Sequence, residues 1–254
     1  MSDEVQYTAE DGVAVITIDR PRARNAVNAA VAQGIADALD DLDARSDLAV
    51  GILTGAGGTF SSGMDLKAFM AGEVPVVDGR GFAGFAQRPP RKPLIAAVEG
   101  YALAGGFEAV LACDLVVAAE DAKFGIPEVK RGLVAGGGGL LRLPARIPRN
   151  IAMEFALTGD LVDAPRLAAL GLVNTVTPSG GALAGARELA ARIAVNAPLA
   201  LAVSKRVVTE SADWPAGETW QRQDDLILPV FASHDAMEGA AAFAEKRPPV
   251  WRGE

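Results

Sequence analysis

The 254-residue sequence contains one cysteine, one histidine and no apolar run long enough to span a bilayer. Each scarcity removes a class of mechanism. Cys113 alone cannot form an internal disulfide, and its neighbours Val110, Leu111 and Ala112 predict a buried thiol in a reducing compartment. His234 lies in Phe231-Ala232-Ser233-His234-Asp235-Ala236, where Ser233 or Asp235 is expected to begin a helix and leave the imidazole at the surface. With no second histidine and no cysteine cluster, Ser–His–Asp catalysis and histidine-rich metal sites drop out. Acid–base work then falls to carboxylates. Basic residues are also in deficit, 24 against 32 acidic, for a net charge of −8. That balance argues against a nucleic-acid binder, although a few arginines can still hold an anionic small ligand. The most apolar stretch, residues 101–119, is interrupted by Glu108 and Asp114. The N-terminus opens Met1-Ser2-Asp3-Glu4, acidic where a secretory signal is basic and then apolar. The expectation is a cytoplasmic protein without membrane association.

What is present is enough apolar residue, half of the chain, to bury a sizeable core. Residues 5–8 and 13–18 read as strands joined by an Asp11-Gly12 turn. Residues 21–25 form a polar, basic loop. From Asn28 to about Ala44, Val31, Ile35, Leu39 and Leu42 recur at helical spacing. Residues 49–54 predict a buried strand before the turn-rich Gly55-Ala56-Gly57-Gly58. Residues 71–92 show little periodicity and predict a mobile loop. A strand over 93–98, a turn over 100–106, a short apolar helix over 107–113 and a strand over 115–118 follow. Beyond Gly180 the pattern becomes nearly continuous helix, over about 183–195, 198–210, 216–228 and 235–245. The chain reads as a β-rich body followed by a helical tail.

Two glycine-bearing turns each follow a strand and precede a helix: Phe60-Ser61-Ser62-Gly63-Met64-Asp65-Leu66 and Ala104-Gly105-Gly106-Phe107-Glu108. The first N–H groups of a helix lack intrahelical acceptors and carry the positive end of its dipole. Two such turns facing one another would aim peptide donors at a developing oxyanion. Glu108 sits in the first turn of an otherwise apolar helix. Glu128, in Phe124-Gly125-Ile126-Pro127-Glu128, follows a proline and reads as another helix start. Each carboxylate alone is explained by the helix dipole, whereas two glutamates in apolar, glycine-rich settings fit an acid/base pair. Gly136-Gly137-Gly138-Gly139 lacks the Gly-Lys-Ser/Thr ending of a P-loop, so it predicts close backbone approach at a helix start.

Taken in order, these motifs resemble the enoyl-CoA hydratase/isomerase (crotonase) family over essentially the whole chain. They run from Arg20-Pro21 with Asn25-Ala26, through Phe60-Ser61-Ser62-Gly63-Met64-Asp65-Leu66-Lys67, to the stretch from Pro93 to Glu108. Cys113-Asp114, Phe124 to Glu128, Gly136 to Gly139 with Arg142-Leu143, Leu157-Thr158-Gly159, Glu238-Gly239 and Phe243 to Arg247 continue the series. The resemblance implies an α/β fold: a spiral of ββα units over residues 1–195, carrying the active site, and a helical trimerisation region over 196–254. It implies a homo-oligomer, a trimer or a dimer of trimers, and no cofactor beyond the CoA of the substrate.

Carried over residue by residue, Met64 and Gly105 supply the oxyanion-hole N–H groups, and Glu108 and Glu128 are the catalytic carboxylates. The acyl-CoA thioester would contact Arg22, Ala23, Arg24, Ser62, Met64, Asp65, Leu66, Gly105 and Gly136, with Phe243 and Lys246 approaching from a neighbouring chain. Retention of both glutamates favours addition of water to a trans-2-enoyl-CoA. The alternatives are a carnitinyl-CoA dehydratase-like activity, which the tail from Asp235 to Trp251 and the stretch from Leu141 to Pro148 resemble, an enoyl-CoA isomerase, or a non-catalytic acyl-CoA-binding paralogue. Three positions depart from the family pattern: Met64 stands where a smaller alanine is common, Ala104 replaces a glycine, and Ala135 replaces a proline.

Overall fold

The computed structural model describes residues 3–254; Met1 and Ser2 of the acidic opening lie outside the described residues. The chain begins with β1 (Val5–Glu10) and β2 (Val13–Ile18), an antiparallel hairpin turned by Asp11 and Gly12, both at positive φ. After a 3-10 turn at Pro21–Ala23 comes α1 (Ala29–Ala44). Asn28 caps α1, its side-chain oxygen accepting from Val31 N–H at 2.9 Å. Val31, Ile35, Leu39 and Leu42 form the buried stripe, as their spacing predicts. Next come β3 (Val50–Gly55), α2 (Leu66–Met70) and a two-residue hairpin, β4 (Val76–Val77) with β5 (Gly81–Phe82).

The centre of the chain repeats one unit. A strand enters the large sheet, a second enters a small sheet, and a helix follows. β6 (Leu94–Val98), β7 (Tyr101–Leu103) and α3 (Gly105–Ala112) make one such turn. β8 (Leu115–Ala119), β9 (Lys123–Gly125), a 3-10 helix at Pro127–Arg131 and α4 (Gly139–Arg146) make the next. α5 (Arg149–Thr158), β10 (Val162–Asp163), α6 (Ala164–Ala169) and β11 (Thr175–Thr177) complete the spiral. The large sheet has the order β1-β2-β3-β6-β8-β11, parallel from β2 onward, and the small sheet the order β10-β9-β7.

Period-two alternation divides the large sheet between two cores. Ala14, Ile16, Leu53, Leu94, Ala96 and Val98 face the spiral interior with Phe60, Phe107 and Phe124. Val15, Val50, Ile52, Ile95, Ala97 and Val117 face Ala186 and Ala190 of α7 (Ala182–Ala194). The remaining helices are α8 (Pro198–Glu210), α9 (Thr219–Phe231) and α10 (His234–Glu245). They pack mainly on one another, and neither α8 nor α9 has a buried residue.

Three local expectations change. Residues 100–106 are not simply a turn: Tyr101–Leu103 form β7, whose pairing partner β9 lies a full spiral turn later. Residues 71–92 are not simply a loose loop, because they contain the β4–β5 hairpin and bury Ala83, Phe85 and Ala86. The third C-terminal helix runs Thr219–Phe231, somewhat later than the spacing suggests. Among the described residues no helix is long and apolar enough to cross a membrane.

Candidate active site

The first glycine turn is held by a fully buried asparagine. Asn25 donates through Nδ2 to Ala56 O at 2.8 Å and Thr59 O at 2.6 Å, and its Oδ1 accepts from Arg20 N–H at 2.9 Å. Ser61 Oγ donates to Asn25 O at 2.8 Å and accepts from Gly63 N–H at 3.1 Å. The same segment runs alongside β7, with Ser61 N–H bonded to Tyr101 O and Leu103 N–H to Ser61 O. Because β7 leads directly into α3, this pairing sets the two glycine turns side by side. Gly63, at φ +93°, leaves so little room that a Cβ would stand 2.9 Å from Gly105 N. A Cβ on Gly106 would meet Ser61 O at 2.4 Å. Among the described residues, neither Met64 N–H nor Gly105 N–H donates to a protein acceptor.

Glu108 projects from the first turn of α3 and is only 3% exposed. Its Oε1 accepts from Gly139 N–H at 2.8 Å, and Gly137 packs directly against the carboxylate. The glycine run at residues 136–139 therefore makes the close backbone approach that its composition predicts, and its partner is this side chain. Burial raises the Glu108 pKa above the ordinary carboxylate value, opposed by the Gly139 and Gly137 backbone and by the Arg142 guanidinium.

Glu128 comes from the 3-10 helix Pro127–Arg131. Its Oε2 is buried and has no hydrogen-bond partner among the described residues. Burial raises its pKa as well; its own backbone N–H and Arg131 oppose that shift, and the charge of Glu108 reinforces it. Two carboxyls, one buried and one half-buried, that each resist ionisation hold one proton between them more readily than none.

Both glutamates line one cleft of about 870 Å³, together with Met64 and Gly105. Arg22, Ala23, Arg24, Ser62, Asp65, Leu66 and Gly136 line it too. Within this set Ser62 N–H is committed to Arg24 O at 3.0 Å, which fastens the basic loop to the glycine turn. The Asp65 carboxylate is also engaged: it caps α2 through Lys67 and Ala68 N–H and bonds Arg20 at 3.0 Å. Burial raises the Asp65 pKa, but those donors outweigh it and hold the carboxyl below its usual value.

Phe243 and Lys246 are not in the cleft lining; Phe243 is an exposed residue of α10 and Lys246 is that helix's C-cap. Functional geometry that sequence reasoning missed includes Arg20, which ties Glu4, Ala26 O and Asp65 together, and the Gly137 and Gly139 backbone against Glu108. Apart from Glu4, the motif order contained these residues, but no spacing rule links an amide to a carboxylate 31 positions away.

Among the described residues no three His, Cys, Asp or Glu side chains group to hold a metal ion. What the site offers is two uncommitted peptide donors for a developing negative charge and, in the same cleft, two carboxyls suited to moving protons.

Residues 8–254 match the family model described as enoyl-CoA hydratase/isomerase. The carnitinyl-CoA dehydratase of Salmonella typhi is 41% identical over 261 residues, covering all of both chains. The solved structure of an enoyl-CoA hydratase from Mycobacterium marinum is 61% identical, with a TM-score of 0.97 over 99% of each chain. A carnitinyl-CoA hydratase structure from Mycobacterium avium is 42% identical over the full length of both chains, with a TM-score of 0.79. The strand-strand-helix spiral, the paired glycine turns and these full-length matches agree: the chain belongs to the enoyl-CoA hydratase/isomerase family.

Proposed function

We propose that the cleft adds water across the C2=C3 bond of a trans-2-enoyl-CoA to give the 3-hydroxyacyl-CoA. The supporting observation is the convergence of two glutamates, Glu108 buried and Glu128 half-buried and both resisting ionisation, on the cleft that Met64 and Gly105 also line with their N–H groups free of protein acceptors. The thioester oxygen accepts from both amides, so the enolate charge develops where fixed donors already point. One such donor is worth about 2.7–4 kcal/mol in the transition state. A water between the glutamates attacks C3 while Glu108 removes its proton. The π pair moves onto the thioester enolate, and Glu128 then protonates C2 on the same face. The pair begins and ends with one proton, so turnover requires only its return from Glu108 to Glu128.

Arg22, Ala23, Arg24, Ser62, Asp65, Leu66 and Gly136 form the surface for CoA and thioester in this reading. The exposed apolar side chains Trp220, Leu228, Phe231 and Phe243 on α9 and α10 are consistent with a homo-oligomer in which Phe243 and Lys246 reach a neighbour's CoA.

A second reading, dehydration of carnitinyl-CoA, is favoured by the 41% identical relatives named for that reaction and uses the same groups in reverse. The test follows loss of the conjugated enoyl-thioester absorbance for crotonyl-CoA with the parent, Glu108→Gln and Glu128→Gln. Each substitution is expected to lower kcat by about 10²- to 10⁴-fold while calorimetry still detects CoA-product binding. Unchanged turnover in both variants overturns the proposal.

A further inference from the structure

Arg142 lies in α4, three residues past the Gly139 amide that holds Glu108, and is half-buried. It is not in the cleft lining. Its backbone N–H donates to Gly138 O at 2.9 Å, and its side chain folds back over the same glycine, with Nη1 in the space that a Cβ on Gly138 would take. Nη2 donates to the Ala86 carbonyl. Among the described residues that carbonyl is its side-chain partner, and no carboxylate lies within ion-pair contact.

Such a placement is costly. Burial disfavours the charge, and Arg146 stands one turn along the same helix as a like charge. Arg146 is itself occupied with Cys113 O at 2.6 Å, and the Cys113 thiol is held neutral by burial. The anion that Arg142 feels is Glu108 of α3, which faces it from beyond contact distance. Glu128, on the 3-10 helix, faces Arg131 instead. The bond to Ala86 reaches the other half of the site. Ala86 N–H donates to Phe82 O at 3.0 Å, and the Phe82 ring packs against Gly105, where an added Cβ would meet it.

We propose that Arg142 is a positioning residue for the reaction: it ties the glycine run against Glu108 to the segment that backs Gly105, and it keeps a positive charge near Glu108 that favours the proton-accepting form of that carboxyl. The proposal rests on the hydratase reading and adds to it a residue that touches no substrate. A guanidinium in direct contact would lock the carboxylate in its ionised form. One beyond contact lowers the cost of ionisation and leaves both oxygens able to take and release a proton. The tie to Ala86 acts on the second requirement, because Phe82 and the glycine run then keep Gly105 and Glu108 in a fixed relation.

The experiment uses Arg142→Met and Arg142→Gln, which remove the charge, and Arg142→Lys, which keeps it but loses the planar fork. Crotonyl-CoA hydration is measured across pH, and infrared titration follows the protonated-carboxyl band that Glu108→Gln removes. Both neutral variants should lose about 10- to 100-fold in kcat, with KM within about threefold of the parent. In both, the acidic limb of the kcat/KM profile and the infrared midpoint should move to higher pH, because ionised Glu108 has lost its cation. Arg142→Lys should restore both midpoints yet stay slower than the parent. An arginine that serves only the fold would lower kcat or Tm and leave both midpoints in place. That result in the neutral variants overturns the proposal, as does a raised KM at unchanged kcat. Unfolding of both neutral variants assigns Arg142 to the fold and overturns it equally; if one folds, it carries the comparison. Absence of turnover by the parent with every enoyl-CoA would sink the hydratase reading, and the infrared midpoints would then decide Arg142 by themselves.

Discussion

Replacing Gly137 by alanine directs one methyl group at the Glu108 carboxylate. Gly137 has no positive φ, so an alanine fits its backbone, and the three atoms nearest the new Cβ all belong to Glu108. Oε2 would lie at 2.8 Å, Cδ at 3.1 Å and Cβ at 3.3 Å. Ordinary contact begins at 3.4 Å, so the carboxylate must recoil by about 0.6 Å. It cannot do so freely, because its Oε1 is held by Gly139 N–H at 2.8 Å. A displacement approaching 1 Å at a reacting group costs up to about a hundredfold. A 10- to 100-fold fall in kcat, about 1.4–2.7 kcal/mol, is therefore expected. Stability should barely change: the alanine lowers unfolded-state entropy by an amount worth about 0.4–1 kcal/mol, offsetting a tight contact of similar size. Stopped-flow or steady-state hydration of crotonyl-CoA measures kcat, and thermal unfolding measures the fold. KM should move little, because the basic loop at Arg22 to Arg24 is untouched. A kcat within about twofold of the parent, in a folded variant, refutes the idea that the glycine run positions Glu108.

Three further outcomes follow from the same structure. Glu108 has a raised pKa in the fold, so its protonated form stabilises the fold at low pH, and that contribution is lost as pH rises through the folded-state pKa. Glu108→Gln should therefore resist urea better than the parent at neutral pH, with the gap closing below the ordinary glutamate value of 4.5; a constant gap across pH contradicts this. Ala104 holds φ +52° and ψ −128°, a strained conformation for a residue with a Cβ, so Ala104→Gly should raise stability by about 1 kcal/mol in thermal unfolding, and a lower Tm counts against the strain. Lys205 joins α8 to the body through Asp114 at 2.7 Å and Lys92 O at 2.9 Å. Lys205→Met should cost about 1–3 kcal/mol in chemical denaturation, and no measurable loss shows that the C-terminal helices are held otherwise.

Some of this protein is written in local spacing. The period of Val31, Ile35, Leu39 and Leu42 specifies α1, and Asp11-Gly12 between two alternating runs specifies the first hairpin. The ordered set of motifs carries the family, and with it the spiral. Chemistry at single residues is less local. Glu108 and Glu128 each read as helix-start carboxylates, and only the fold brings both to one cleft where each resists ionisation.

What tertiary structure decided shares one physical cause, the dependence of a group on a partner distant in the chain. β7 has three residues, too few for any periodicity, and exists because β9 and Ser61 bond to it. That strand sets Gly105 beside Gly63, so the pairing of the two glycine turns is a product of sheet pairing rather than of glycine content. Desolvation of Glu108 arises from the glycine run at the start of α4 folding back across the site. The sequence by itself determined which residues are available for acid–base work; burial and long-range backbone bonds decided how they are aimed and how tightly they hold a proton.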